Sequence, residues 1–149
     1  MSLKAGDKAP NFKANNQDGT ELTLDSFTGK KLVLYFYPKD DTPGCTAEAC
    51  SLRDNYDALL KQGYAIVGVS PDNEKKHQKF IAKYELPFDL LADTDNAIAL
   101  AYGVWVEKSM YGRKYMGIAR TTFIVDEAGV ISEVIEKVDT AKHASQILQ

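Results

Sequence analysis

The sequence is poor in the features that mark several large classes of protein. Its 149 residues include only two cysteines, two histidines and one tryptophan. Two cysteines are too few for the disulfide-stapled scaffolds of small secreted proteins. No apolar run approaches the roughly 18 residues of a membrane-spanning helix. Met1-Ser2-Leu3-Lys4 leads into polar sequence, without the apolar stretch of a signal peptide. There is no basic excess: 18 Lys and Arg stand against 21 Asp and Glu, for a net charge of −3. No cluster of Lys and Arg is long enough to serve nucleic acid or an anionic membrane. Gly-x-Gly-x-x-Gly and Gly-Lys-Ser/Thr loops are missing, so a bound dinucleotide or nucleoside triphosphate is not supported. His77 and His143 lie too far apart for a zinc pattern. Asp93-Thr94-Asp95-Asn96 lacks the glycine and distal glutamate of a calcium loop. The expectation is a soluble, cytoplasmic chain with no metal or other cofactor and no nucleic-acid or membrane partner.

What is present suits one domain over residues 1–149, with 44% hydrophobic residues to form its core. Asn11–Ala14 and Glu21–Leu24 flank Asp18-Gly19 and predict a small N-terminal hairpin. Lys31–Tyr37 and Tyr64–Ser70 are nearly continuous apolar runs, the pattern of strands buried on both faces. Between them Ala49, Leu52, Tyr56, Leu59 and Leu60 recur at helical spacing, and Gly63 is placed to end that helix. Strand, helix and strand at this spacing form a βαβ unit with parallel pairing. Further helices are expected near 73–84 and 96–102, a short strand near 89–92, and a helical end from Thr140. Thr121–Asp126 and Val130–Ile135 predict an antiparallel hairpin. The order suggests an α/β protein with a mixed central sheet and helices on both faces, a thioredoxin-like arrangement.

The chemistry gathers in Tyr37-Pro38-Lys39-Asp40-Asp41-Thr42-Pro43-Gly44-Cys45-Thr46-Ala47-Glu48-Ala49-Cys50. A buried strand stops at Pro38. Thr42 is a good N-cap and Pro43 suits the first helical position. Gly44 and Cys45 then fall where backbone N–H groups lack intrahelical partners and the helix dipole is positive. Such a position favours a thiolate over a thiol. Thr42 could bond the amide of Cys45, its sulfur, or a substrate oxygen, and its residue type leaves all three open. Plain helix capping accounts for Thr42 and Pro43 equally well.

Cys45 and Cys50 are separated by four residues, not by the two of a disulfide-reductase motif. On an α-helix residues five apart differ by about 140° and have Cα atoms roughly 8.6 Å apart. That exceeds the ~7 Å a disulfide spans. If the two pair, the first turns of the helix must unwind. A pair that must rearrange suits a two-stage task, in which one thiolate is oxidised to sulfenic acid and a second thiol condenses with it. A peroxide, with its weak O–O bond, is the fitting oxidant. A disulfide reductase or isomerase, and a non-catalytic redox sensor, stay open as rival readings.

At these residues a resemblance enters. Pro38-x-x-x-Thr42-x-x-Cys45 resembles the active-site signature of the peroxiredoxins, and Cys50 resembles the second cysteine of their bacterioferritin-comigratory (Q-type) branch. Gly6–Phe12, Tyr35–Asp40, Tyr102–Trp105, Tyr111-Gly112 and Gly117–Ile124 are similar to further family segments in the same order. The resemblance implies a thiol peroxidase for hydrogen peroxide and organic hydroperoxides. Cys45 would be the peroxidatic cysteine and Cys50 the resolving one, joined in an intramolecular disulfide that thioredoxin or a similar dithiol reduces. Pro38 would shield the reacting sulfur, Thr42 would bond the peroxide, and Arg120 would be the active-site arginine. A guanidinium stays charged at any working pH, which suits that role, but spacing alone does not bring residue 120 to residue 45.

The remaining candidates read more plainly. His77 falls on a polar helix face and His143 in the C-terminal helix. Asp40 and Asp41 read as loop acids near a helix start. Trp105, Tyr102, Tyr111 and Tyr115 read as an aromatic cluster in the core or at a pocket rim. A monomer is expected, with a weak homodimer as the alternative.

Overall fold

The computed structural model describes residues 3–148; Met1 and Ser2, which belong to the N-terminal reading above, and Gln149 lie outside the described residues. The chain opens with β1 (Lys13–Asn15) and β2 (Glu21–Thr23), paired antiparallel as expected. Asn16 closes their turn by accepting the amides of Asp18 and Thr20. Then follow β3 (Lys31–Phe36), α1 (Pro43–Asp54), α2 (Tyr56–Lys61), β4 (Tyr64–Ser70), α3 (Glu74–Tyr84), β5 (Asp89–Ala92) and α4 (Ala97–Ala101). The chain continues through β6 (Trp105–Met110), β7 (Arg113–Ile118), β8 (Thr121–Val125), β9 (Ile131–Ile135), a 3-10 turn (Thr140–Lys142) and α5 (His143–Ile147).

The central sheet has the order β5-β4-β3-β8-β9. β3 pairs parallel with β4 and antiparallel with β8. This is the mixed, thioredoxin-like sheet the sequence predicts. β3, β4 and β8 are buried on both faces and alternate between two cores, whereas the edge strand β9 exposes Ser132 and Glu133. Val33, Tyr35, Ile66, Leu90 and Ile124 face a core shared with Cys45, Ala49 and Leu52 of α1, Phe80 of α3 and Ile147 of α5. Leu32, Leu34, Phe36, Val67, Val69 and Phe123 face the other, with Ile98 and Ala99 of α4. Helices therefore cover both faces, α1, α2, α3 and α5 on one side and α4 with the N-terminal segment on the other. Tyr35 sits opposite Gly68 in the register, where a Cβ on residue 68 would come within 2.8 Å of the Tyr35 ring. The ring needs that missing side chain.

Two expectations are corrected. The single helix carrying Ala49 to Leu60 is broken at Asn55, whose side chain donates to the Ser51 carbonyl at 2.8 Å and competes with the helical ladder. Leu60 lies beyond the break and is 46% exposed. The segment from Trp105 to Ile118 is a two-stranded hairpin that the aromatic reading did not anticipate. Tyr111 and Gly112 both have positive φ, 52° and 78°, the two-residue turn that matches the twist of paired strands. The proposed aromatic cluster is dispersed by it: Tyr102 is buried, whereas Tyr111 at the hairpin tip is 98% exposed.

Candidate active site

The site is built where β3 ends. Tyr37 adds one more bond to the sheet, its N–H donating to the Val69 carbonyl. Pro38 follows, half-buried, and the chain turns through Asp41 at φ 57°. Thr42 is the extended N-cap of α1 and Pro43 is its first residue, as expected. The first helical bond runs from Thr46 N–H to the Thr42 carbonyl at 2.8 Å. Thr42 makes no side-chain capping bond. Its hydroxyl donates instead to the Lys39 carbonyl at 2.9 Å. Of the three partners left open by the sequence, neither the Cys45 amide nor its sulfur is used, and the lone pairs of the hydroxyl stay available. The Cys45 N–H, in the first turn, is left without its usual side-chain acceptor.

Cys45 is 1% exposed. Arg120 Nη2 donates to its sulfur at 3.3 Å, and Nη1 donates to Glu48 Oε1 at 2.8 Å. The sheet explains how residue 120 reaches residue 45. The antiparallel register sets Phe36 opposite Thr121, so the residue entering β8 lies beside the chain leaving β3. Gly44 makes the approach possible: a Cβ there would stand 3.2 Å from Arg120 Nη2. Glu48, one helical turn after Cys45, is fully buried. Burial pushes its carboxyl up to about 7, although the Arg120 charge and hydrogen bond pull the other way. Arg120 is itself shifted upward: burial opposes its charge, and the contacts with Cys45 and Glu48 outweigh that cost. One guanidinium thus bridges a sulfur and a carboxylate. Cys50 lies on the same helix, half-buried, and both thiols are free.

The structure therefore brings Cys45, Arg120 and the Thr42 N-cap to one helix start, with Pro38 in the loop ahead and Cys50 farther along α1. Three contributors were missed. Glu48 had a legible signal, since it lies three residues from Cys45 on the same helical face. Gly44 had none until its neighbour was known. The third is a buried network in the loop. Asp40, read as a loop acid, accepts from the Tyr37 hydroxyl and pairs with His77 Nδ1 at 2.6 Å. His77, read onto a polar face, is fully buried. Asp41 does behave as an exposed loop acid, held low by Lys83 and Tyr84, which donate to it at 2.8 and 2.7 Å.

Residues 5–134 match the model of the AhpC/TSA family. The chain belongs to that family. It is 51% identical over 148 residues to a putative peroxiredoxin bcp of Coxiella burnetii, covering 99% of this chain and 98% of that one. It is 43% identical over 149 residues to peroxiredoxin Bcp of Bacillus subtilis, covering 100% and 95%. Among solved structures, peroxiredoxin Q of Xanthomonas campestris superposes with a TM-score of 0.87 at 40% identity, covering 92% of this chain and 87% of that one. The bacterioferritin comigratory protein of the same organism, described for alkyl peroxide reduction in trapped intermediate and ligand complexes, matches with a TM-score of 0.87 at 39% identity over the same shares. The chain is therefore a thiol peroxidase of thioredoxin-like fold, which sets aside the disulfide-reductase and non-catalytic sensor readings.

Proposed function

We propose that Cys45 is the peroxide-reacting sulfur of a two-cysteine cycle completed within one chain. The observation that carries this reading is the 3.3 Å contact between Arg120 Nη2 and Cys45 Sγ at the start of α1. A guanidinium donating to sulfur stabilises the anion, which is the nucleophile. The anion attacks one oxygen of a hydroperoxide, the O–O bond breaks, and Cys45 becomes a sulfenic acid. The departing oxygen leaves as an alkoxide or hydroxide and takes a proton from solvent to become alcohol or water. Arg120 is placed to stabilise that developing charge as well. Thr42, whose proton is committed to Lys39, meets the hydroperoxide O–H as an acceptor. Pro38 closes the loop beside the sulfur against water.

Cys50 then condenses with the sulfenic acid, forming the Cys45–Cys50 disulfide and releasing water. Thioredoxin or a similar dithiol returns both thiols and is itself oxidised. Hydrogen peroxide and alkyl hydroperoxides are the substrates, the latter in keeping with the Xanthomonas campestris relative. The chain works as a single-domain monomer in the cytoplasm.

Peroxide consumption with a thioredoxin recycling system tests the scheme. Cys45→Ser should lose all turnover. Cys50→Ser should consume one equivalent of peroxide and then stall unless an outside thiol is supplied. Sustained turnover by Cys45→Ser overturns the assignment.

A further inference from the structure

The C-terminal helix sets a second buried group against the pair of Arg120 and Glu48. His143, the first residue of α5, is fully buried. Its Nδ1 lies 2.7 Å from Gln146 Oε1. That oxygen also accepts the Asp139 N–H at 3.0 Å, while Gln146 Nε2 donates to the Lys137 carbonyl at 2.9 Å. The orientation of the amide is thereby set, and Nδ1 must carry a proton. Nε2 lies 2.7 Å from Thr122 Oγ1 and 3.4 Å from Glu48 Oε2. Glu48 Oε2 is buried without a hydrogen-bond partner among the described residues. An ionised Oε2 facing an unprotonated Nε2 would oppose two lone pairs where neither side chain meets solvent. One proton on either residue removes the conflict. Burial raises Glu48 and lowers His143, which draws their proton affinities together.

We propose that Glu48 and His143 hold one proton jointly, and that its loss weakens the Cys45 anion, making His143 a positioning residue for the peroxide step. The proposal rests on Cys45 being the reacting sulfur. With the proton in place, the pair is neutral overall and the Arg120 charge is left to the sulfur. Without it, a full carboxylate competes with the sulfur for one guanidinium and opposes negative charge on the departing oxygen. The linkage is reciprocal: an anion at Cys45 raises the affinity of the pair for its proton. Other titratable or charged groups face this cluster. They are Tyr35 of β3, which burial keeps neutral, the exposed Asp139 ahead of the 3-10 turn, and Lys108 of β6, which interacts with Arg120 and Cys45.

Side-chain NMR titration of glutamate and histidine in the reduced enzyme needs no variant. Glu48 and His143 should move together, with one common midpoint. In Cys45→Ser that midpoint should shift to lower pH, because the anion that held the proton is gone. Stopped-flow measurement of the peroxide step should show a fall of about fivefold or more on the alkaline side of the same midpoint. Glu48→Gln should abolish this fall, His143→Gln should displace it, and Lys108→Met should leave it in place. Separate midpoints for the two residues, a midpoint indifferent to Cys45→Ser, or a fall that survives Glu48→Gln each overturn the proposal. Turnover by Cys45→Ser would instead strike at the assignment of the sulfur, and the common midpoint in the unmodified enzyme is read independently of it.

Discussion

His77 Nδ1 lies 2.6 Å from Asp40 Oδ2, with the imidazole wholly enclosed and its Nε2 2.9 Å from the Leu91 carbonyl. A carbonyl only accepts, so Nε2 donates, and one proton lies between Nδ1 and the Asp40 carboxyl. Asp40 is also tied to Tyr37, and its own N–H donates to Asp72 at 2.6 Å. The loop that carries Thr42 and Cys45 is therefore braced against α3 and β5 from within. Breaking a buried pair leaves one uncompensated group, at a cost of about 3–5 kcal/mol, whereas replacing both partners by apolar residues is often close to neutral. His77→Leu should lose stability on that scale in denaturant unfolding, and Asp40→Val with His77→Leu should recover most of it. A double variant as unstable as the single one would show that the pair is not the brace.

Gly44 separates stability from chemistry. Its φ is not in the left-handed range, and alanine is the better helix former by roughly 0.8–1.0 kcal/mol. Yet the added Cβ would sit 3.2 Å from the nitrogen that donates to Cys45. The guanidinium end must give by a few tenths of an ångström. Gly44→Ala should unfold no earlier than the parent while reacting with peroxide about tenfold more slowly. An unchanged second-order rate constant would mean that the position of Arg120 is not critical.

The parts of the fold that could be read from the residues are those with a one-to-one physical signature. Lys31–Phe36 and Tyr64–Ser70 bury both faces and so appear as unbroken apolar runs. Thr42 and Pro43 combine two independent helix-start signals, and both mark the observed start of α1, although the Thr42 hydroxyl bonds the Lys39 carbonyl and caps nothing. The hairpin at 105–118 was hidden because one side is exposed and mixes Lys, Ser, Met and Tyr, leaving only Tyr111-Gly112 as a turn signal. The contact of Arg120 with Cys45 was invisible for a different reason. It depends on the register of β3 against β8, a pairing between segments about ninety positions apart that no local pattern encodes. Burial of Glu48 and His77 is likewise a property of what packs over them. Polar residues at helical spacing look solvated until a second element covers them.

Glu48 should make stability depend on pH in an uncommon direction for a carboxyl group. Its value in the folded state is raised from 4.5 to about 7, by burial above all. Above 4.5 the folded chain binds more protons than the unfolded one, so stability falls as pH rises toward 7. The contribution is complete below about 4.5 and gone above about 7, and it amounts to roughly 3 kcal/mol at 1.36 kcal/mol per unit. Glu48→Gln removes the titration. The stability of that variant relative to the parent should therefore climb across this window when unfolding is followed at several pH values. A constant difference from pH 4.5 to 7 would place the carboxyl in a far more solvated setting than the fully buried one seen here.

In the proposed cycle, the separation of the two cysteines along α1 demands a change of structure in every turnover. While Pro43–Asp54 is helical, residues 45 and 50 are held roughly 8.6 Å apart at Cα and point about 140° away from each other. A disulfide closes no gap beyond about 7 Å. Closing a Cys45–Cys50 disulfide would have to unwind the start of the helix, pulling Glu48 from Arg120 and moving Ser51, whose hydroxyl oxygen accepts the Ala144 N–H of α5 at 3.1 Å. Hydrogen exchange should therefore quicken over residues 44–52 in the disulfide form, and also at the start of α5. The central strands β3 and β4, whose bonds do not involve α1, should keep their protection. Residues 44–52 equally protected in the two redox states would rule out a disulfide made by local unfolding, and Cys45 would have to find its partner thiol outside this helix.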